Sequence, residues 1–245
     1  LARESEGLGR VDEARLLRAQ MFGAEPGAPG SAADIEAPGS GTMVPRGPPM
    51  ARRLGRRLLR PAVESLAQRP RIWKYRVLSS CRPSGGPLVI LQPVLFVGPG
   101  EVALGAGVQF GWKASPLFYT GYCHVEVSKE SSRFEVGDRT EFNNNLMVKS
   151  EGAGIRIGQD GLFGAHVEIV DSDFHDLDPA RRKTGVAKLA PVEIGDNVFV
   201  GMGVRILKGT KIGSDSVVGA GAVVTGSIPA GVIAAGNPAR VIREL

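Results

Sequence analysis

Several residue types and patterns are scarce in this chain of 245 residues, and each scarcity limits what the protein can be. Only two cysteines occur, Cys81 and Cys123, far apart and in no spacing typical of a metal or redox site, so we expect two reduced, buried thiols. No run of about 18 apolar residues is present, so no membrane span is predicted. The chain also lacks a secretory signal pattern, and we expect a cytoplasmic protein.

Aromatic residues make up only 6% of the chain, whereas glycine is abundant at 34 residues. A core with few rings predicts thin stacked layers of Val, Ile and Leu rather than a bulky globular centre. The net charge is +5, but much of the excess lies in the arginine run Arg52–Arg60. The repeat region lacks the interleaved basic and aromatic residues that bind bases, so we expect no nucleic-acid partner.

A six-residue period dominates the chain from Ile194 onward. Neither the helical period of 3.6 nor the strand period of 2 gives this spacing. Short strands that turn a corner every six residues do, so the pattern predicts a solenoid whose 18-residue coils have a triangular section. The aliphatic residue of each repeat points inward, and the glycine behind it occupies the corner. The repeats are Ile194-Gly195, Val200-Gly201, Ile206, Ile212-Gly213, Val218-Gly219 and Val224.

The segments before the repeats differ in composition. Residues 1–49 are rich in Gly, Pro, Ala and Ser without an apolar period, so we expect disorder, a tag or an over-extended start. Residues 50–86 form a basic segment, for which we predict one or two short helices broken at Pro61 and Pro70. We favour a cap on the first coil for this segment over contact with a membrane surface.

The solenoid domain is predicted over residues 87–245. A three-residue excess at Gly152–Gly154 shifts its register. The period stops altogether in a polar segment with two prolines, which we predict to be a loop over 171–191 that projects from the solenoid.

This loop carries the strongest candidate for chemistry, His175, among the carboxylates Asp171, Asp173, Asp176 and Asp178. An imidazole with carboxylates nearby can act as a general base near neutral pH. Loops on a rigid scaffold are where such residues commonly lie. We therefore predict that His175 is a general base rather than a solvated surface histidine, with Asp173 or Asp171 orienting it.

The other histidines receive no catalytic role. His124 opens a strand, and His166 falls in the middle of a repeat, where we expect an outward-facing or interface position on the solenoid wall. Three histidines on such a solenoid also suggest a zinc site like that of the γ-class carbonic anhydrases. We disfavour zinc because His166 and His175 are nine residues apart, the second within the loop.

Three consecutive asparagines, Asn143–Asn145, lie within one repeat. Asparagine suits corners because it tolerates left-handed backbone angles, and its amide can also hydrogen-bond a hydroxylated acceptor. Because alternate residues of a strand face opposite ways, the three cannot all serve one site.

The block from Phe142 to Arg240 resembles the hexapeptide-repeat acetyltransferases, in particular the group that O-acetylates sugars and polysaccharides. The resemblance rests on the segments FNNNLMVKSE, IGQDGLFGAHVEIVDSDFH, PVEIGDNVFVGMGVRILKGTKIGSDSVVGAGAVVT and IPAGVIAAGNPARVI. It implies an all-β fold, a left-handed parallel β-helix, which breaks the usual right-handed crossover rule. It also implies direct acetyl transfer from acetyl-CoA without a metal, in a homotrimer with active sites between subunits.

The resemblance assigns roles to individual residues. His175 matches the histidine that deprotonates the acceptor, and Asn143 matches the asparagine that contacts it. The backbone N–H of Met202 matches a group that approaches the thioester oxygen, where it can stabilise an oxyanion. The implied cofactor-binding residues are Gly201, Met202, Gly203, Ala220, Thr225 and Arg240.

Two positions depart from the family. Phe199 stands where the family often has tryptophan, and Gly226 stands where it often has lysine. The missing lysine weakens the expected contact with the 3′-phosphate of CoA. Lys208 and Lys211 are nearby in sequence, but we expect both to be solvated.

We therefore interpret the sequence as an acetyl-CoA-dependent O-acetyltransferase acting on a sugar hydroxyl of a surface polysaccharide or related glycan. Two alternatives stay open. One is an N-acetyltransferase of an amino-sugar nucleotide, and the other is a non-catalytic solenoid that serves as a binding module.

Overall fold

The computed structural model describes residues 50–245, with side chains described from Val63 onward. The segment 1–49, for which we expect disorder, lies outside the described residues.

In the part of the chain that the structure describes, one helix, α1 (Met50–Leu78), precedes the strands. It continues through Pro61 and Pro70, so the predicted breaks at these prolines are wrong. A proline removes one backbone hydrogen bond, but its fixed φ near −65° is helical and can be accommodated where the rest of the helix is held. Here the Gln68 side chain donates to the carbonyl of Phe118 at 2.9 Å, which ties α1 to the first coils. Within residues 50–245, no helix combines the length and apolar character needed to cross a membrane.

Twenty short strands follow, stacked into three sheets. Sheet A contains β1 (Ser84–Gly85), β4 (Glu101–Leu104), β7 (Arg133–Val136), β10 (Ile155–Ile157), β13 (Val192–Ile194) and β16 (Lys211–Ile212). Sheet B contains β2 (Val89–Ile90), β5 (Gln109–Phe110), β8 (Glu141–Phe142), β11 (Leu162–Phe163), β14 (Phe199–Val200), β17 (Val217–Val218), β19 (Val232–Ala235) and β20 (Arg240–Glu244). Sheet C contains β3 (Val94–Val97), β6 (Cys123–Val127), β9 (Met147–Ser150), β12 (Glu168–Val170), β15 (Arg205–Ile206) and β18 (Val223–Val224).

The strand register shows that the six-residue period builds a triangular solenoid. Ile194 pairs in parallel with Ile212, Val200 with Val218, and Ile206 with Val224, each pair one coil apart. Every third strand thus joins the same sheet. The predicted fold class, a left-handed parallel β-helix of hexapeptide repeats, is confirmed. Only β20 pairs antiparallel, with β19.

Each coil runs from sheet A to B to C, so the solenoid has three edges. We call the stacked turns between sheets B and C the BC edge, and those between sheet C and the next strand of sheet A the CA edge. The BC edge includes residues 143–146, 164–167, 201–204 and 219–222. The CA edge includes residues 151–154, the loop 171–191 and residues 207–210.

The core has two compositions. In the lower coils, from β13 onward, it consists of buried Val, Ile and Ala, as composition predicts. In the upper coils, phenylalanines lie among the buried aliphatic residues: the ring centroids of Phe110 and Phe142 are 5.2 Å apart, and those of Phe142 and Phe163 are 4.9 Å apart. The few rings of the chain are therefore concentrated in the upper coils. Cys123 is fully buried among them, which raises the pKa of its thiol to about 12, and Cys81 is a half-buried free thiol.

Candidate active site

The loop 171–191 leaves sheet C after β12 and returns at β13 without forming a helix or strand of its own. A single bridge, Ser172 to Leu189, closes its base. His175 lies exposed near the start of the loop, and its backbone N–H donates to the carbonyl of Asp173 at 2.7 Å. Its imidazole makes no hydrogen bond to any residue that the structure describes, so both ring nitrogens are accessible.

The carboxylates around His175 have different tasks. Asp171 is fully buried and accepts hydrogen bonds from Ser150 Oγ and from the N–H groups of Glu151, Ala153 and Gly154 at 2.7–3.0 Å. This set holds the turn that contains the three-residue excess. Because both oxygens of Asp171 are engaged there, and because the imidazole makes no hydrogen bond to Asp173, neither of the two carboxylates predicted to orient His175 contacts its ring in the single chain.

Asp173 is tied to the solenoid wall. Its Oδ1 lies 3.0 Å from Lys208 Nζ, so the expectation that Lys208 is solvated is wrong. Its Oδ2 is buried and has no hydrogen-bond partner among the described residues. Two other carboxylates of the loop, Asp176 and Asp178, both pair with Arg181 and serve the loop itself.

Four of the residues implied as cofactor-binding meet on the BC edge: Gly201, Met202, Gly203 and Ala220. A Cβ on Gly201 would lie 2.5 Å from the backbone nitrogen of Ala220, so only glycine lets these coils approach. Gly203 has φ +70° and nothing within 4 Å of where its Cβ would be, so this corner is open to solvent. Met202 is 49% exposed, and its N–H donates no hydrogen bond to a described residue. This N–H is an unpaired donor at the residue before the open corner of Gly203.

The last two residues of the predicted cofactor set lie apart from each other. Arg240 pairs across the antiparallel ladder with Ala235, whose Cβ would contact a Cβ on Gly219 at 2.9 Å. Arg240 therefore lies at the lower end of the BC edge, exposed to solvent. Thr225 follows β18 and lies on the CA edge, so one chain does not bring it together with the other five.

The three asparagines also separate. Asn143 is half-buried on the BC edge, and its side-chain oxygen accepts the N–H of Asn144 at 2.7 Å, which leaves the amide NH₂ available. Asn144 is fully buried and donates to the carbonyls of Trp112, Ser115 and Pro116. Asn145 has φ +60°, the left-handed corner conformation.

His166 lies at a corner rather than on the wall. It has φ +59° on the BC edge, is exposed, and has its Nε2 3.4 Å from Asn145 Nδ2. Among residues 63–245, no group of three or more His, Cys, Asp or Glu side chains is arranged as a metal site.

Two features were missed from the sequence. One is the excursion 112–122 between β5 and β6, which Asn144 anchors on the BC edge. The signal was present, because the six-residue period breaks between Phe110 and Cys123.

The second missed feature is a charged cluster on the outer face of sheet C around Glu126. His124 Nε2 lies 3.3 Å from one of its oxygens and Lys149 Nζ lies 3.2 Å from the other. Partial burial alone would raise the pKa of Glu126, but hydrogen bonds from Ser128, Lys149 and His124 outweigh it and lower that pKa. Partial burial would likewise lower the pKa of Lys149, but Glu126 and Glu151 outweigh it and raise that pKa. The sequence does not indicate this cluster, because His124 and Glu126 lie on one coil and Lys149 on the next. Each of the three alternates with core residues along its strand.

The geometry leaves the two halves of the predicted site on different edges. Met202, Asn143 and Arg240 lie on the BC edge, whereas His175 projects from the CA edge. A strand of sheet C with its flanking residues, roughly 15 Å at about 3.3 Å per residue, lies between them. A single chain therefore presents the His175 imidazole on one edge and, on the other, the unpaired N–H of Met202 next to the open corner at Gly203.

Comparison with known families gives one match, to the bacterial transferase hexapeptide model of six repeats, over residues 191–226. The match covers the lower coils, where the period is strict. The predicted resemblance to hexapeptide-repeat acetyltransferases is confirmed.

Curated relatives match over a longer stretch. The chain is 38% identical over 134 residues to the galactoside O-acetyltransferase of Escherichia coli, which covers 55% of this chain and 61% of that protein. It is 36% identical over 130 residues to the galactoside O-acetyltransferase of Lactococcus lactis, covering 53% and 58%. The chain thus spans about three fifths of the length of these relatives.

Solved structures of similar proteins include a hexapeptide-repeat acetyltransferase of Vibrio cholerae in complex with acetyl-CoA. It aligns with a TM-score of 0.47 and 24% identity, over 80% of this chain and 90% of that one. A galactoside acetyltransferase in complex with coenzyme A aligns with a TM-score of 0.44 and 22% identity, over 75% and 81%.

Proposed function

We propose that this protein is an acetyl-CoA-dependent O-acetyltransferase that acts on a sugar hydroxyl, in a surface polysaccharide or related glycan. The observation that carries the proposal is the unpaired N–H of Met202 next to the open BC corner at Gly203, in a chain that also presents His175 with an unengaged imidazole. The identity to galactoside O-acetyltransferases supports the same chemistry. The cytoplasm remains the location we expect for the reaction.

In the proposed reaction, one nitrogen of His175 takes the proton of the acceptor hydroxyl. The oxygen attacks the carbonyl carbon of the acetyl thioester, and negative charge develops on the carbonyl oxygen. The N–H of Met202 is free to donate to that oxygen, and a donor aimed where charge develops is an effective form of catalysis. As the carbon–sulfur bond breaks, the proton on His175 passes to the leaving thiolate. No acyl-enzyme is required.

The BC edge is suited to acetyl-CoA as the second substrate. Gly203 and Gly221 have positive φ and leave open space at successive corners, so an extended pantetheine arm can lie along them. Arg240, exposed at the lower end of this edge, can pair with a phosphate of the nucleotide. Asn143, higher on the same edge, has an amide NH₂ available for an acceptor hydroxyl.

We propose further that the site is completed between chains of a homotrimer. Since His175 projects from the CA edge and the cofactor groove runs along the BC edge, a second copy must bring its CA edge to the groove of the first. A heterologous contact of this kind closes into a ring by rotation. Thr225, which lies on the CA edge, joins the cofactor residues only in such an arrangement.

A direct test uses purified protein with acetyl-CoA and three acceptors: methyl β-galactoside, maltose and an amino-sugar nucleotide. We expect release of CoA thiol and a product that gains one acetyl ester on a galactoside or maltose hydroxyl. Acetylation of the amine alone would favour the N-acetyltransferase alternative. Failure to bind acetyl-CoA in calorimetry would contradict the proposal and support a non-catalytic binding module.

A further inference from the structure

The backbone around His175 forms a tight turn, and the Asp173 N–H at its start donates to the carbonyl of Lys188 at 3.1 Å. The His175 N–H bonds the carbonyl two residues earlier, at Asp173, and Phe174 between them has φ +60°. A three-residue turn with positive φ is the rarer and more strained form. Ser172 Oγ accepts the Phe174 N–H at 2.8 Å, but the Phe174 side chain is 40% exposed. Packing within the loop therefore contributes little to this conformation.

Two lysines of the solenoid contact this turn, one at Asp173 and one at Phe174. Lys208, which follows β15, places its Nζ 3.0 Å from Asp173 Oδ1. Lys149, on β9, places its Nζ 5.3 Å from the centre of the Phe174 ring, a cation–π contact. Lys149 is itself fixed by Glu126 at 3.2 Å and Glu151 at 3.3 Å. The two residues that precede His175 are thus each held by a lysine of the solenoid, Asp173 by Lys208 on the CA edge and Phe174 by Lys149 on sheet C.

The Lys208 contact matters most because of the environment of Asp173. The Oδ2 atom of Asp173 is buried without a partner, so this carboxylate depends on Lys208 for compensation of its charge. Loss of one member of a largely buried ion pair leaves the other uncompensated, which is strongly unfavourable. Without Lys208, we expect Asp173 to turn toward solvent and the His175 turn to open.

We propose that Lys208 and Lys149 are positioning residues that hold the Asp173–His175 turn in the conformation that presents His175 to the acceptor. Neither acts as a catalytic residue, because each reaches His175 only through its neighbour in the turn. The expected effect of these lysines on kcat rests on the proposed function, whereas their expected effect on the conformation of the turn does not.

The experiment compares Lys208→Met, Lys208→Arg and Lys149→Met with the control Lys211→Met. Lys211 makes a similar ion pair with Glu193, at 3.1 Å, but on sheet A away from the loop. Amide hydrogen exchange of the peptide that contains His175 is measured without substrate. Methyl β-galactoside acetylation then gives kcat and the KM for acetyl-CoA.

For Lys208→Met we expect exchange at His175 to rise at least about tenfold. We expect kcat to fall about 10- to 100-fold, because a displacement of about 1 Å in a catalytic group has effects of this size, while the KM for acetyl-CoA stays unchanged. For Lys149→Met we expect smaller changes of exchange and kcat in the same directions. Lys208→Arg should keep exchange and kcat near the wild-type values, and Lys211→Met should change neither exchange nor kcat.

Unchanged exchange in Lys208→Met would overturn the proposal, and so would faster exchange with an unchanged kcat. A rise in the KM for acetyl-CoA equal to the loss of kcat would also overturn it, since that pattern indicates general damage to the fold. If the wild-type protein transfers no acetyl group, the proposed function fails, and the exchange result alone decides whether the two lysines hold the turn.

Discussion

The BC and CA edges of this solenoid are built by different means. The lower BC edge repeats one design in successive coils, with a glycine that lets the next coil approach and a second glycine at positive φ, as in Gly201 and Gly203. The CA edge instead contains insertions of unequal length, each held by particular polar contacts such as those of Asp171. The repeated corners of the BC edge form a uniform groove. The insertions of the CA edge place individual side chains at positions that the six-residue repeat does not provide.

The difference assigns separable tasks to the two edges in the proposed enzyme. The regular edge offers space and backbone donors, which suit a long, extended substrate of constant structure. The irregular edge offers one imidazole on a held turn, which suits proton transfer. Changes on one edge should therefore leave the task of the other intact.

The largest effect is expected from His175→Ala. Removal of the proposed base should lower kcat by about 10²- to 10⁴-fold, the usual contribution of general base catalysis, and leave acetyl-CoA affinity unchanged. Steady-state kinetics and calorimetry measure the two quantities. The control is Val186→Ala, a residue of the same loop that is 85% exposed. Full activity of His175→Ala would refute the proposed mechanism.

Ala220→Trp tests the opposite edge. An indole at this exposed corner would fill the space beside Met202 and should raise the Kd for acetyl-CoA at least about tenfold, with thermal stability unchanged. Ala230→Trp is a matched control, because Ala230 meets Gly213 at another edge as Ala220 meets Gly201. Equal losses of affinity in the two variants would show that the BC edge has no special role.

Asp171→Ala removes the support of the three-residue excess on the CA edge. Four donors lose a buried acceptor, so we expect a loss of about 3 kcal/mol in the free energy of unfolding. Asp178→Ala, an exposed carboxylate in the loop, should change it by less than about 0.5 kcal/mol. Urea unfolding of both variants measures these free energies. A change of less than about 0.5 kcal/mol in Asp171→Ala would show that the turn does not depend on Asp171.

The smallest effect is a dependence of the CA edge on pH. The pKa of Glu126 is lowered below its ordinary value of 4.5 by hydrogen bonds that outweigh its burial. The stability that this carboxylate contributes is therefore present above pH 4.5 and is lost as the pH falls through its lowered pKa. Since Glu126 fixes Lys149, exchange at Phe174, corrected for intrinsic rates, should rise below pH 4.5. The same correction applied to Gly203 should show no change.

The sequence predicted the parts of the molecule that depend on repetition. The period from Ile194 to Val224 predicted the triangular coils, because each aliphatic position must stack on its equivalent one coil away. It also located the loop that carries His175, since a polar segment with two prolines cannot form the wall. Glycine is required for different reasons at different positions, and the sequence does not distinguish them. At Gly201 the neighbouring coil leaves no room for a Cβ, and at Gly203 the backbone has a positive φ.

Contacts between segments of unrelated spacing could not be predicted. The pairing of Lys208 with Asp173 depends on how the loop folds back, and nothing in the repeat encodes that path. The continuity of α1 through Pro70 is supported by the bonds of Gln68 and Arg71 to the carbonyl of Phe118, and tertiary contacts of this kind can override the local tendency of proline to break a helix. The phenylalanines of the upper core were not predicted, because the composition of the whole chain does not show how aromatic residues are distributed between the upper and lower coils.

The central claim is that the site forms from the CA edge of one chain and the BC edge of another. It is tested by joint unfolding and refolding of His175→Ala and Ala220→Trp chains, assayed at an acetyl-CoA concentration far below the Kd of Ala220→Trp, where each variant alone has little activity. In hybrid trimers, an intact His175 from one chain meets an intact groove from its neighbour. Random assembly of equal amounts should then recover about a quarter of wild-type activity. Activity no greater than the sum of the separate variants would contradict the claim and place the whole site within one chain.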